Sequence, residues 1–449
     1  MVREAIDAYH GLLSDAQGAE TQFQLDDQQR RRGLFFGDRP LCTVLRPRFL
    51  SAEQYGFLIA RVRLLLRAFD TAYRAAMASP AFRAQFGLLD WEETLLRSAA
   101  QFREPSPVSR LDSFFLPERD EVWITEYNAE TPAACAYNDI LSEVFLGLPV
   151  MRGFLRDYRL RPLLARHAVL HALLDAYREW GGSREAPRMA ILDWREVPTY
   201  SEFVLFQDYF RSQGLECVIA DPREVDYRQG RLMAGDVPVT LIYKRVLLSE
   251  LIGREGLGSP VVRAVQDGAV CMVNPFRCKI LHKKGSLAVL SDERNADIFS
   301  AEERRAIAAH IPWTRRVEER RTVYRGRSVD LIPFILEHRD RLVLKANDDY
   351  GGKGIVLGWD VEPAAWEQAV VGAMAEPAVI QERVSLPREP YPSLAGGRVE
   401  FIDRMLDTDP FVFHGEYAEG CLTRLSTAAL VNVTAGGGST VPTFVVERR

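Results

Sequence analysis

Asp112, Glu126 and Asn128, together with a stretch rich in lysine and glycine at 342–358, LVLKANDDYGGKGIVLG, are the residues of this sequence best suited to chemistry on phosphate. Glu126 and Asn128 stand two apart in a segment, 122–128, that alternates as a strand does. Residues i and i+2 of a strand share a face, so one carboxylate and one amide oxygen converge, with Trp123, Thr125 and Tyr127 expected on the other side. Oxygen donors of this kind suit a hard cation such as Mg²⁺, and Asp112 upstream offers a third. A Glu-x-Asn triplet also arises by chance about once in a chain of this length, so the spacing alone leaves the metal reading open.

In the second stretch, Leu342-Val343-Leu344 and Ile355-Val356-Leu357 are short apolar runs suited to strands, and Asp348, Asp349, Tyr350, Gly351 and Gly352 supply the turn between them. Gly351, Gly352 and Gly354 let backbone N–H groups approach an anion, while Lys345 and Lys353 add point charges. The loop is not of the Walker type. The pattern G-x-x-x-x-G-K-[ST] is absent and Gly354 follows Lys353, so no hydroxyl there can meet magnesium. A plain β-hairpin with a solvated lysine accounts for the same residues.

The chain that must position these groups has 449 residues, more than one ordinary core. Lys plus Arg number 57 and Asp plus Glu 62, and a net charge of −5 gives no reason to expect nucleic acid as a partner. The six cysteines, Cys42, Cys135, Cys217, Cys271, Cys278 and Cys421, form no C-x-x-C pair and read as reduced thiols of a cytosolic protein, with zinc disfavoured. The opening MVREAIDAYHGLL is amphipathic, and no apolar run approaches eighteen residues, so a cytoplasmic protein without a membrane span is expected.

Residues 1 to about 100 are expected to be helical and supportive, most clearly over 51–77, where Phe57, Ile59, Val62, Leu65, Leu66 and Phe69 recur at helical spacing behind a Ser51/Gln54 capping box. The part between Glu20 and Arg48 looks irregular, with Arg30-Arg31-Arg32 in a solvated turn. From about 161 to 250 the pattern is that of a small open α/β domain. It has a helix over 163–180, a strand over 189–192, a helix over 202–213 stopped by Gly214, a strand over 217–220, and a hairpin around Gln229-Gly230 leading into a strand over 239–243. Lys244 and Arg245 stand just past that last strand, where open α/β sheets bind ligands, although solvated strand-end charges are the blander reading. Lys283 and Lys284 precede an apolar segment, a helix capped by Ser300 and Glu303 covers 300–311, and the mixed-charge run 315–327 reads as a solvated face. A helix over 363–374, strands over 378–384, 410–413 and 443–446, and an anion-permissive Gly436-Gly437-Gly438 complete the chain.

Taken together these segments resemble the circularly permuted ATP-grasp ligases, the superfamily of glutathionylspermidine synthetase, over roughly residues 105–449. The match rests on the order Arg110, Asp112, Glu126, Asn128, followed by NAETPAACAYND. The resemblance implies an α/β (α+β) fold in four parts: a helical N-terminal region (1–104), a metal-site strand segment (105–160), a small substrate-side α/β domain (161–265) and the nucleotide-binding subdomains with a Gly-rich lid (266–449). It implies that Asp112, Glu126 and Asn128 hold Mg²⁺ on ATP and that Arg110 stabilises the transferring phosphoryl group. Lys283 or Lys284, Lys345 and the lid Gly351-Gly352-Lys353-Gly354 would contact the nucleotide, Gln381 and Glu382 would form the adenine hinge, and Arg424 would lie at the reacting centre. The chain departs from its relatives at Leu430, where the late Asn432 lacks a carboxylate two residues before it, at Asn432-Val433-Thr434-Ala435 ahead of the triple glycine, and in having no papain-like amidase domain.

The implied reaction is ATP-dependent amide formation between an acid and an amine, either small molecules or peptides, through an acyl phosphate with release of ADP and phosphate. A silent ATP-binding scaffold and a phosphotransferase acting on a small acid are the alternatives. A homodimer is favoured only because symmetric dimers are the commonest assemblies.

Overall fold

The computed structural model describes residues 1–98, 102–182, 185–349, 354–427 and 438–449. In its mixed α/β architecture three of the seven sheets among the described residues position the site. The largest is antiparallel, with strand order Arg388–Ala395, Arg398–Leu406, Tyr417–Ser426, Asp409–Phe413, Val108–Leu116, Glu121–Asn128, and Ser439–Val441 pairing off Tyr417–Ser426. A second antiparallel sheet runs Thr314–Arg316, Ala378–Glu382, Leu342–Ala346, Ile355–Leu357. The third is parallel, in the order Cys271–Val273, Leu241–Lys244, Met189–Leu192, Cys217–Ala220. Met189–Leu192 is buried along its whole length, as a continuous apolar strand covered on both faces requires.

The N-terminal helices follow from local signals. Ala52–Ala78 opens on the capping box of Ser51 and Gln54 and buries Leu58, Ile59, Val62, Leu65, Leu66 and Phe69. These pack in one core with Val122, Ile124 and Tyr127 of the Glu121–Asn128 strand, so the helix braces the back of the strand that carries Glu126. The irregular reading of 20–48 holds for 33–47 and is corrected for 20–32. Asp15–Arg32 is one helix, and Arg30, Arg31 and Arg32 form its last turn, where cations suit the carbonyl end, before Gly33 closes it at φ 66°. A uniformly polar helix shows little periodicity, which is why the sequence pattern hid it.

Two further expectations change. The pairing of Asp112 with Glu126 and of Ser113 with Ile124 leaves Thr125 as an extra residue, a β-bulge. The bulge resets the alternation, so Tyr127 shares the buried side with Val122 and Ile124, whereas Trp123 and Thr125 are only half-buried. Glu126 and Asn128 keep a common face, as the spacing required. The segment 239–243 is not one strand: Val237–Val239 completes a small antiparallel sheet, and Leu241–Lys244 enters the parallel one after a break at Thr240. The hairpin Arg388–Ala395/Arg398–Leu406, turned by Gly396 and Gly397 at φ 56° and 80°, went unread. Gly-Gly between strand-like runs is a hairpin signal.

Candidate active site

Antiparallel register places Arg110 opposite Asn128 and Asp112 opposite Glu126, so all four side chains share one face of the large sheet. Arg110 grips Asp112 with both arms, Nε to Oδ1 at 2.7 Å and Nη2 to Oδ2 at 2.9 Å. Arg424, from Tyr417–Ser426, donates to Asp112 at 2.8 Å, to Asp409 at 2.9 Å and to Asp407 at 2.6 Å. Two arginines therefore share three buried aspartates. Burial alone would push Asp112 up, but Arg110 and Arg424 hold it at about 2. Burial pushes Asp407 up to about 6 against the pull of Arg424, and raises Asp409 well above the ordinary range with Asp407 and Asp112 adding to it. Asp407 and Asp409 were missed in the sequence. Asp407 lies in the connection between Arg398–Leu406 and Asp409–Phe413, so strand alternation gave no signal that the two would share a site.

The second antiparallel sheet faces this one across the site. Lys345 reaches the carbonyl of the bulged Thr125 at 3.2 Å and Gln381 Oε1 at 2.7 Å, and Gln381 in turn donates to Thr314 at 3.1 Å. Burial lowers Lys345 to about 8, with Glu126 opposing and Lys284 reinforcing the shift. Lys284 donates to Glu126 at 3.2 Å and to the Asp349 carbonyl at 2.6 Å. Its segment is fastened by Asn347, whose carbonyl accepts from Lys284 N and whose Oδ1 accepts from Gly285 N. Glycine is needed at 285, because a Cβ there would lie 2.8 Å from the Phe86 carbonyl.

Lys283 points elsewhere. It pairs with Glu92 at 2.8 Å and Asp348 at 3.1 Å, in a buried network where Lys279 meets Asp348 at 2.5 Å and Glu130 at 3.1 Å, and Lys244 meets Glu130 at 3.3 Å. One ligand atom each from Glu130, His282 and Asp348 lies within 4.8 Å of the others, a spacing a metal ion would fit, but the Lys279 ammonium stands among them as the cation. Burial and Lys279 together lower His282 to about 4, so it is neutral near pH 7. Nothing in the sequence announced Glu92. It comes from a short helix, Asp90–Leu96, far from the residues it pairs with.

Glu382 accepts hydrogen bonds from Tyr324 and Arg325, each at 2.7 Å. Just beyond it lies an open cavity of about 510 Å³ lined by Trp359, Arg383, Val384, Ser385, Leu386, Arg388 and Met405. Of the Gly-rich loop, Gly351, Gly352 and Lys353 lie outside the described residues, as do Leu430, Asn432, Gly436 and Gly437. Gly354 sits at φ 64°, and a Cβ there would approach Asp349 Oδ2 to 2.5 Å, so only glycine fits.

Two charge readings are corrected. Lys244 and Arg245 are not solvated: both are buried at the C-terminal edge of the parallel sheet, Lys244 on Glu130 and Arg245 on Glu202 at 3.0 Å. Burial raises the neighbouring Asp193 to about 7. Nor is all of 315–327 a solvated face, since Arg315 is buried against Glu293, Ser291 and Thr322. The six cysteines are free and buried, and among the described residues no helix is long and apolar enough to cross a membrane.

No family model matches the chain, and no curated protein sequence matches it. Among solved structures it is similar to a glutathione synthetase-like effector from Globodera pallida, with a TM-score of 0.57 and 12% identity over 95% of this chain and 96% of that one. It is also matched, more loosely, to a protein from Methylobacillus flagellatus provisionally named a γ-glutamylcysteine synthetase, with a TM-score of 0.43 and 11% identity over 88% and 89% of the two chains. At these identities the first likeness is one of fold, and the second is too loose to add to it.

Proposed function

We propose that this chain is an ATP-dependent carboxylate–amine ligase of the circularly permuted ATP-grasp type, using Mg²⁺. The observation that carries the reading is the meeting of two antiparallel sheets at one polar site. One presents Glu126 and Asn128, the other Lys345 and Gln381, and the Lys345–Thr125 hydrogen bond joins them. The oxygen donors of Glu126 and Asn128 fit a hard cation, and Asp112 retains one acceptor position after its three arginine contacts. When bound, Mg²⁺ would neutralise phosphate charge and orient the γ-phosphoryl group. Residues 105–160 and 266–449 would form the nucleotide half, and 161–265 the substrate side.

In this reading Lys284 and Lys345 take the phosphates, and Lys283 supports them from behind. Gln381 and Glu382 hold the hinge, with the base in the cavity beside Val384 and the Gly351-Gly352-Lys353-Gly354 loop over the phosphates. The acid's carboxylate oxygen attacks the γ-phosphorus, and the bond to ADP breaks. The amine then attacks the acyl carbon, phosphate leaves, and the amine's proton passes to solvent. Arg110 and Arg424, oriented by Asp112, Asp407 and Asp409, stabilise the charge that develops in both steps. Substrates are a small-molecule or peptide acid and an amine.

Calorimetric binding of a non-hydrolysable ATP analogue, with and without Mg²⁺, tests the site on the native chain and on Glu126→Ala. Magnesium-dependent binding that weakens in the variant is the expected result, and no binding under any condition would sink the reading. Phosphate release coupled to a new amide bond separates a ligase from a phosphotransferase.

A further inference from the structure

The lysine network behind the site is balanced in charge: Lys244, Lys279 and Lys283 face Glu92, Glu130 and Asp348, with His282 neutral. The three carboxylates are not equivalent. The side chains of Glu92 and Glu130 are wholly buried, whereas that of Asp348 is 21% exposed. Asp348 also stands at the exit of Leu342–Ala346, and the next residue, Asp349, covers Lys284 with its carbonyl. Consecutive residues of this turn therefore supply oxygen to Lys279, Lys283 and Lys284 from the solvent side.

We infer that Asp348 is an internal competitor for anion: its carboxylate occupies Lys279 and Lys283 where an oxygen of an incoming polyphosphate would otherwise bind. The inference rests on the nucleotide reading above. Asp348 answers to three groups on the facing element, Lys279, His282 and Lys283, while Glu130 lies behind them. Two of the three are ammonium groups, which attract a phosphate as they do a carboxylate. Affinity for the polyphosphate tail is accordingly held below what the lysines alone would give, and Asp348 becomes a positioning residue that sets this affinity without touching the base.

The test separates tail from base, using magnesium tripolyphosphate and adenosine as two calorimetric probes of the full chain. Asp348→Asn should bind tripolyphosphate about tenfold tighter or more, since it frees a cation close to the ligand, and should bind adenosine as the native protein does. Asp348→Glu, which keeps the charge, should return towards native affinity. Glu92→Gln removes a carboxylate from the same lysines on their buried side and should bring no such gain. Unchanged or weaker tripolyphosphate binding by Asp348→Asn would overturn the inference, as would an equal gain in Glu92→Gln, which would reduce the effect to bulk charge. If Asp348→Asn does not fold, Asp348→Ser is read in its place. A native chain that binds no ATP analogue even with Mg²⁺ removes the nucleotide reading and this inference with it. Native binding without a gain on substitution removes the inference alone.

Discussion

Five buried lysines converge here in two groups, and they differ in what answers them. Lys244, Lys279 and Lys283 face three carboxylates, so their charges are matched within the protein. Among the described residues, Lys284 bonds to Glu126 and to the Asp349 carbonyl, and Lys345 bonds to the neutral oxygens of Thr125 and Gln381, with Glu126 and Asp112 acting on it only through their charge. A buried cation bonded to neutral oxygens lacks the counter-charge that would complete it. The same residue type is therefore matched charge for charge in one group and only partly in the other, and burial alone would not have told them apart.

The largest effect that can break this comparison is on stability. Glu130→Gln deprives Lys244 and Lys279 of their shared carboxylate and should cost about 3–5 kcal/mol in chemical denaturation, the usual scale for opening a buried ion pair. A loss under about 1 kcal/mol would mean that the inner group is not structural. Glu126→Ala should do the reverse, lowering turnover by about 100-fold or more while leaving the denaturation midpoint near native. Near-normal turnover would refute the role given to Glu126.

A smaller effect is expected from pH. Burial sets Lys345 at about 8, below its ordinary value, so its charged form is lost as pH rises through that point. Affinity for the magnesium nucleotide should fall between about pH 7 and about pH 9, and Lys345→Met should abolish the inflection. Stability moves the other way. The folded state carries the cost of burying the charged lysine in full below about 8, and the cost is relieved as pH climbs towards the unfolded value. The smallest change should come from the exposed Arg388–Asp403 pair, where Arg388→Ala is expected to alter stability by less than about 0.5 kcal/mol. A larger loss there would show that exposed pairs are not a fair baseline for the inner group.

What the sequence disclosed and what it hid divide along physical lines. Period-two and helical patterns revealed most of the Glu121–Asn128 strand and of the Ala52–Ala78 helix, because each buries one regular face, and short continuous apolar runs marked Met189–Leu192 and Cys217–Ala220. The common face of Glu126 and Asn128 was legible for the same reason. The bulge at Thr125 was not, since an extra residue leaves no mark in composition, and the polar Asp15–Arg32 helix was missed for want of periodicity. Long-range partners were hidden most completely. Lys283 and Lys284 are adjacent in sequence, yet only the fold shows that the first turns to Glu92 and the second to Glu126.

The pairing of Val108–Leu116 with Asp409–Phe413 also has a consequence in time. Asp112 and Arg424, bonded in the finished protein, lie 312 positions apart. At synthesis rates of roughly 5–20 residues per second, the arginine leaves the ribosome on the order of 15–60 s after the aspartate. Through that interval Val108–Leu116 waits without its later neighbour, an unpaired edge of the kind that invites association with other chains. The charge balance around Asp112 and Arg424 is thus among the last features of the molecule to form.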